Sequence, residues 1–106
     1  MELNPHFGAF ISFKTMSEGG RGAEVDLRRY RPDIRFREFP SPYYGAHPWI
    51  DATDPLAVTM LPGEQRFIEF ELRAAELIMD RLHVGSSFDI MEGGTAVGSG
   101  VIARVY

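Results

Sequence analysis

The chain has 106 residues, 44% of them hydrophobic and 25% charged. That length fits one domain able to bury roughly two-thirds of its unfolded surface, and that composition excludes a wholly disordered chain. Eleven Lys and Arg against fifteen Asp and Glu leave a formal net charge of −4, which excludes the overall basic bias of a generic nucleic-acid coat and makes any such contact local.

The first element expected is a strand over Phe7 to Lys14, aromatic-rich and alternating from Phe10, with Phe13 out of step as at a bulge. Ser17 to Gly22 reads SEGGRG, a glycine-dense hairpin tip, after which Ala23 to Arg28 pairs back briefly before Pro32 interrupts. Ile34 and Phe36 then alternate with Asp33, Arg35 and Arg37, the pattern of a half-buried strand. Pro40 to Pro55 holds four prolines, Pro40, Pro42, Pro48 and Pro55, among Tyr43, Tyr44, His47 and Trp49. Proline cannot donate to a ladder, so residues 40–55 are expected to form one long loop.

Leu56 to Leu61 is a short apolar run, and Pro62-Gly63 is a turn signal. The clearest strand follows, with Ile68, Phe70 and Leu72 on a core face and Glu69, Glu71 and Arg73 on a wet one. Ala74 to Leu82 is open, because Ala74, Ala75, Leu77, Ile78 and Leu82 also fit one face of a short helix. Phe88 to Glu92 and Thr95 to Tyr106 flank Gly93-Gly94, a two-residue hairpin connection. Val97, Val101, Ala103 and Val105 keep period two in the last strand, and Gly98 and Gly100 mark where strands bend or cross closely. The sum is an all-β chain: one domain over 1–106, a closed antiparallel barrel of about six strands with little helix, since closure removes exposed edges.

With no cysteine, the chain has no disulfide framework, no thiolate nucleophile and no Cys-ligated zinc. Met1 to Phe10 is too polar and short for a signal-peptide core, and no run reaches bilayer length, so a cytoplasmic setting without membrane contact is expected. His6, His47 and His83 are scattered, and Asp51 and Asp54 read as turn residues, so no metal is expected. Ser86 and Ser87 lack a GxSxG context, and EGGRG lacks the spacing of a nucleotide-binding P-loop. Neither a catalytic residue nor a cofactor is anticipated.

Four motifs occur in order: EGGR at Glu18 to Arg21, YRPDIRF at Tyr30 to Phe36, MLPGE at Met60 to Glu64, and SFDIMEGGTAVGSGVIARVY from Ser87 to the end. The set resembles the C-terminal barrel domain of elongation factor Tu, the translation GTPase that delivers aminoacyl-tRNA. The resemblance runs from about Phe7 to Tyr106 and leaves nothing for that family's GTPase domain, so it implies a barrel without nucleotide binding. In the family, the corresponding tip, strand and hairpin help form the face that meets the tRNA T stem. Arg21, Glu92 and Gly93 match that pattern, while Met91 stands where the family has Arg and Asp33 where it has Gln. Both departures weaken phosphate binding. The segment carrying the Pro and aromatic residues is also longer here than in the family.

Two candidate surfaces emerge. Tyr43, Tyr44, His47 and Trp49 have the composition of a partner-binding hot spot, or else fold back as a plug over a barrel end; stacking on unpaired bases is a third reading. Arg28, Arg29, Arg31, Arg35 and Arg37 form a local basic stripe. Arg35 and Arg37, with Arg21, Glu92 and Gly93, are the candidate nucleic-acid contacts, against a solvated strand face neutralised by Glu38, Glu69 or Glu71. The expected function is a non-catalytic binding module, translation-related by its resemblance, that docks onto a protein partner; tRNA or other RNA is the alternative.

Overall fold

In the computed structural model, residues 5–106 are described; Met1 to Asn4, part of the stretch read above as too polar for a signal peptide, lie outside the described residues. Eight strands follow one another: β1 (Phe7–Phe13), β2 (Val25–Asp26), β3 (Asp33–Phe36), β4 (Tyr44–Trp49), β5 (Thr59–Met60), β6 (Gln65–Leu72), β7 (Ser87–Glu92) and β8 (Thr95–Val105). Six of them close an antiparallel barrel in the order β1-β6-β4-β3-β7-β8, and β2 pairs with β5 in a separate two-stranded sheet. The chain is all-β, its helical residues confined to short 3-10 turns.

The barrel closes around aromatic rings because alternate residues of each strand point inward. Phe7, Phe36, Phe70 and Phe88 are essentially inaccessible. Phe7 and Phe88 each meet the other three, with ring centroids between 5.5 Å (Phe7 to Phe70) and 6.5 Å (Phe7 to Phe36) apart, in the range where edge-to-face and offset pairs add to burial. Ile34, Ile68, Leu72, Ile90 and Ile102 fill the rest.

The alternation in β1 differs from expectation by one phase. Phe13 is in step with Phe7, Ala9 and Ile11, all buried, and Phe10 points outward at 64% exposure. A register shift does occur, but between Gly8 and Ala9 against β8.

SEGGRG is not a hairpin tip. Met16–Glu18 is a 3-10 turn in which the Thr15 N–H donates to Glu18 Oε1 at 2.9 Å, and Gly19 terminates it at φ +92°. Val25 and Asp26 pair with Met60 and Thr59 rather than back onto β1.

Residues 40–55 are not one loop, since β4 crosses them and bonds both β3 and β6. Pro48 is accommodated by parity. The Ala46 N–H donates to the Pro32 carbonyl on the β3 side, so the donor that Pro48 lacks would point to that same side, beyond the last β3 pair at Asp33 and Gly45. A proline costs nothing where no ladder partner exists.

Pro62-Gly63 turns as expected, with Gly63 at φ +80° and the Glu64 N–H donating to the Leu61 carbonyl at 3.1 Å. The open segment 74–82 resolves into two 3-10 turns, Ala75–Leu77 and Met79–Arg81, which bury Ala75, Ile78 and Leu82.

Candidate docking surfaces

β4 sorts its side chains by alternation. Tyr44 belongs to a strand and not to a loop folded over a barrel end; it turns into the barrel, 7% exposed, its ring 6.0 Å from Phe36, and is not available to a partner. Tyr43 stays outside at 42% exposure, beside the Arg35 guanidinium. His47 and Trp49 share the outward face of β4, opposite Glu71 and Glu69 of β6.

His47 and Glu71 line two adjoining open hollows. One, of about 220 Å³, continues over Arg28, Pro48, Trp49, Ile50 and Ala52. The other continues to Arg31 and Arg73. Partial burial holds the His47 imidazole below its ordinary value of 6.5; Arg31 and Arg73 act in the same direction and Glu71 opposes them.

Three of the five arginines of the stripe hold carboxylates. Arg28 grips Asp26 through two contacts, Nε to Oδ1 at 2.9 Å and Nη2 to Oδ2 at 2.8 Å. Arg35 and Arg37 converge on Asp89, which pairs with Arg35 across β3 and β7: Arg35 Nη2 donates at 2.8 Å and Arg37 Nη2 at 3.0 Å. Burial alone would push the Asp89 carboxyl up, and the Arg35 and Arg37 hydrogen bonds outweigh it, leaving the group below 3.8. The neutraliser is therefore Asp89, not Glu38, Glu69 or Glu71; Glu38 faces His83 at 3.3 Å. A sequence lacks the β3 to β7 register that would have identified it.

Arg21 and Glu92 do come together, 2.6 Å apart, with Gly93 beside them at the hairpin turn at φ +61°. The Tyr30 hydroxyl donates to the same Glu92 oxygen at 2.6 Å, and the Arg21 guanidinium lies 5.8 Å from the Tyr30 ring. Burial and then the Glu92 carboxylate push the Tyr30 phenol up, so it remains a donor. This cluster ties the EGGR segment to the β7–β8 hairpin. Met91 is buried, 1% exposed, and takes no part in an outer surface.

A third surface was not anticipated. Phe67 of β6, Phe10 of β1 and Val101 of β8 lie in one row across three strands, paired by register. They are 37%, 64% and 47% exposed, and the two rings meet edge to face at 5.4 Å. The signal was present in Phe67, which shares the parity of the wet-face residues Glu69 and Glu71 and so had to point outward.

Among the described residues no group of three His, Asp or Glu side chains could hold a metal ion. His6 accepts the Leu72 N–H through Nδ1 at 2.9 Å, and buried Ser86 accepts the His83 N–H. Among the described residues no helix is long and apolar enough to cross a membrane. No protein-family model matches the chain.

Proposed function

We propose that the chain is a non-catalytic binding module that docks onto a protein partner through the outer face of β6, β1 and β8. The observation that carries this reading is the row formed by Phe67, Phe10 and Val101, with Phe10 64% exposed. Burying one such ring is worth about 1.5–3 kcal/mol, and contiguous outward apolar groups mark interaction surfaces. Tyr43 and Trp49 add outward aromatic area on β4 and its approach. The resemblance to the C-terminal barrel of elongation factor Tu supports a binding role, and by analogy a cytoplasmic, translation-related one.

RNA binding is the weaker reading. Arg21, Glu92 and Gly93 lie together, as the resemblance requires. Yet Arg21, Arg35 and Arg37 are already engaged by Glu92 and Asp89, so a phosphate would have to displace a carboxylate in a chain of net charge −4.

The test is affinity capture from an extract of the source organism, with and without ribonuclease, comparing the wild type with Phe10→Ser/Phe67→Ser. The expected result is a protein that survives ribonuclease with the wild type and is lost with the variant, confirmed with that purified protein. The variant should remain folded, since neither ring is in the core, at a cost of about 1–3 kcal/mol for the cross-strand pair and the part-buried ring it removes. Undiminished recovery with the variant, or recovery abolished by ribonuclease, would overturn the proposal.

A further inference from the structure

The groove on the outward face of β4 and β6 is a second surface, independent of the Phe10 and Phe67 row. One part of it is apolar: Pro48 is buried, and Trp49 and Ile50 are half-buried at its edge. The other part is cationic, with Arg31 and Arg73 reaching over His47.

Arg31, from the basic stripe, and Arg73, from beyond it, differ from the paired arginines. Arg28, Arg35 and Arg37 each hold a carboxylate, whereas Arg31 and Arg73 make no salt bridge among the described residues. Arg31 donates to the Tyr30 carbonyl at 2.8 Å. The Arg73 stem crosses Gly45, its Cδ 3.1 Å from where a Cβ would stand there. A glycine at that point leaves the stem room to lie along β4. His47, held below its ordinary value by burial and by these same cations, is uncharged near neutrality and leaves the field to the guanidinium groups.

We propose that this groove binds an extended acidic peptide segment of a partner protein, with carboxylates on Arg31 and Arg73 and an apolar side chain against Trp49 and Ile50. Guanidinium and carboxylate match as planar bidentate partners, and side chains alternating along an extended peptide suit a site of alternating character. Glu71 selects the peptide over a nucleic acid. It lies in both hollows and makes no salt bridge among the described residues. A continuous phosphate backbone meets it with repulsion, whereas a peptide can bring a backbone N–H to it.

Trp49 is the chain's one tryptophan, so its emission reports directly on the groove. The probe is an amidated, acetylated peptide of two Glu-Asp pairs separated by Leu, against the same peptide with Gln-Asn in place of Glu-Asp. The acidic peptide should shift Trp49 emission saturably, more weakly at higher salt, and the neutral peptide should not. Arg31→Gln/Arg73→Gln keeps the aliphatic stems and should weaken the acidic peptide about tenfold. Phe10→Ser/Phe67→Ser should bind it as wild type does, which separates failure of this groove from failure of the other face. Equal response to both peptides, unchanged affinity in the double Gln variant, or tighter binding of a single-stranded RNA oligonucleotide would each overturn the assignment.

Discussion

Gly100 sits on β8 between Ile11 of β1 and Phe88 of β7. A Cβ placed there would stand 2.3 Å from Phe88 Cζ and 2.7 Å from Cε2, against an ordinary carbon contact of about 3.5–4.0 Å. The ring cannot swing aside, because Phe88 is fully buried with Phe7, Phe36 and Phe70 at 5.8, 5.9 and 6.3 Å. Overpacking of this kind costs about 1–3 kcal/mol, and a ring wedged by three others belongs at the upper end. The reduced freedom of an unfolded alanine returns up to about 1 kcal/mol, so Gly100→Ala should lose about 2–3 kcal/mol. For a domain of this size that lowers the melting temperature by roughly 10–20 °C. Thermal and urea unfolding followed by circular dichroism measure it. Phe88→Leu in the same chain should relieve the clash, giving a coupling energy of at least about 1 kcal/mol in the double-mutant cycle. Gly94→Ala, where nothing lies within 4 Å of the added Cβ, should be neutral. A Gly100→Ala protein within about 0.5 kcal/mol of wild type, or a coupling near zero, would refute the reasoning.

Two further outcomes follow from the charged groups. Asp89 has a folded value below 3.8 because the Arg35 and Arg37 hydrogen bonds outweigh the burial that would raise it, so its stabilisation is complete above that value and is lost as pH falls through the folded one. Asp89→Asn should therefore cost about 1–2 kcal/mol at neutral pH, discounted for the partly exposed arginines, and lose less stability than wild type between about pH 5 and pH 2; equal losses in urea titrations would contradict the clamp. His47 should titrate below 6.5 by NMR, first because of burial and then because of Arg31 and Arg73. Its contribution to stability is therefore full above 6.5 and declines as pH falls. Arg31→Gln and Arg73→Gln should each raise the midpoint and Glu71→Gln should lower it; unmoved midpoints would remove the cations from the neighbourhood of His47.

How much of this was legible in the chain depended on whether the deciding interaction was local. Period two over Ile68, Phe70 and Leu72, and the Gly93-Gly94 turn between β7 and β8, depend on neighbours in sequence, and both read correctly. Pro48 misled because a proline forbids a ladder bond only on the side its nitrogen faces, and that side is fixed by the distant end of β3. Val25 and Asp26 misled for a similar reason, since their partner is β5, beyond two intervening strands. Alternation counted from Phe10 puts Phe13 out of step. Ala9 and Ile11 set the phase instead, and the large ring was left outside. That inversion concealed the candidate surface, although Phe67 already carried the contradiction within a strand whose phase was certain.

The basic stripe makes the complementary point about charge. Five arginines between Arg28 and Arg37 look alike in one dimension, yet their availability is set by which carboxylate the register brings opposite them. Arg35 and Arg37 meet Asp89 because β3 runs beside β7, and Arg28 meets Asp26 because two residues of β2 hold the turn. Arg31 lies before β3 begins, where no strand of β7 reaches it, and projects toward His47 with Arg73 from the end of β6. A paired guanidinium must first lose its carboxylate to bind an anion, while an unpaired one needs only to shed water. Within the stripe Arg31 makes no salt bridge among the described residues, and with Arg73 from outside the stripe it carries the recognition argument, whereas Arg35 and Arg37 are engaged by Asp89.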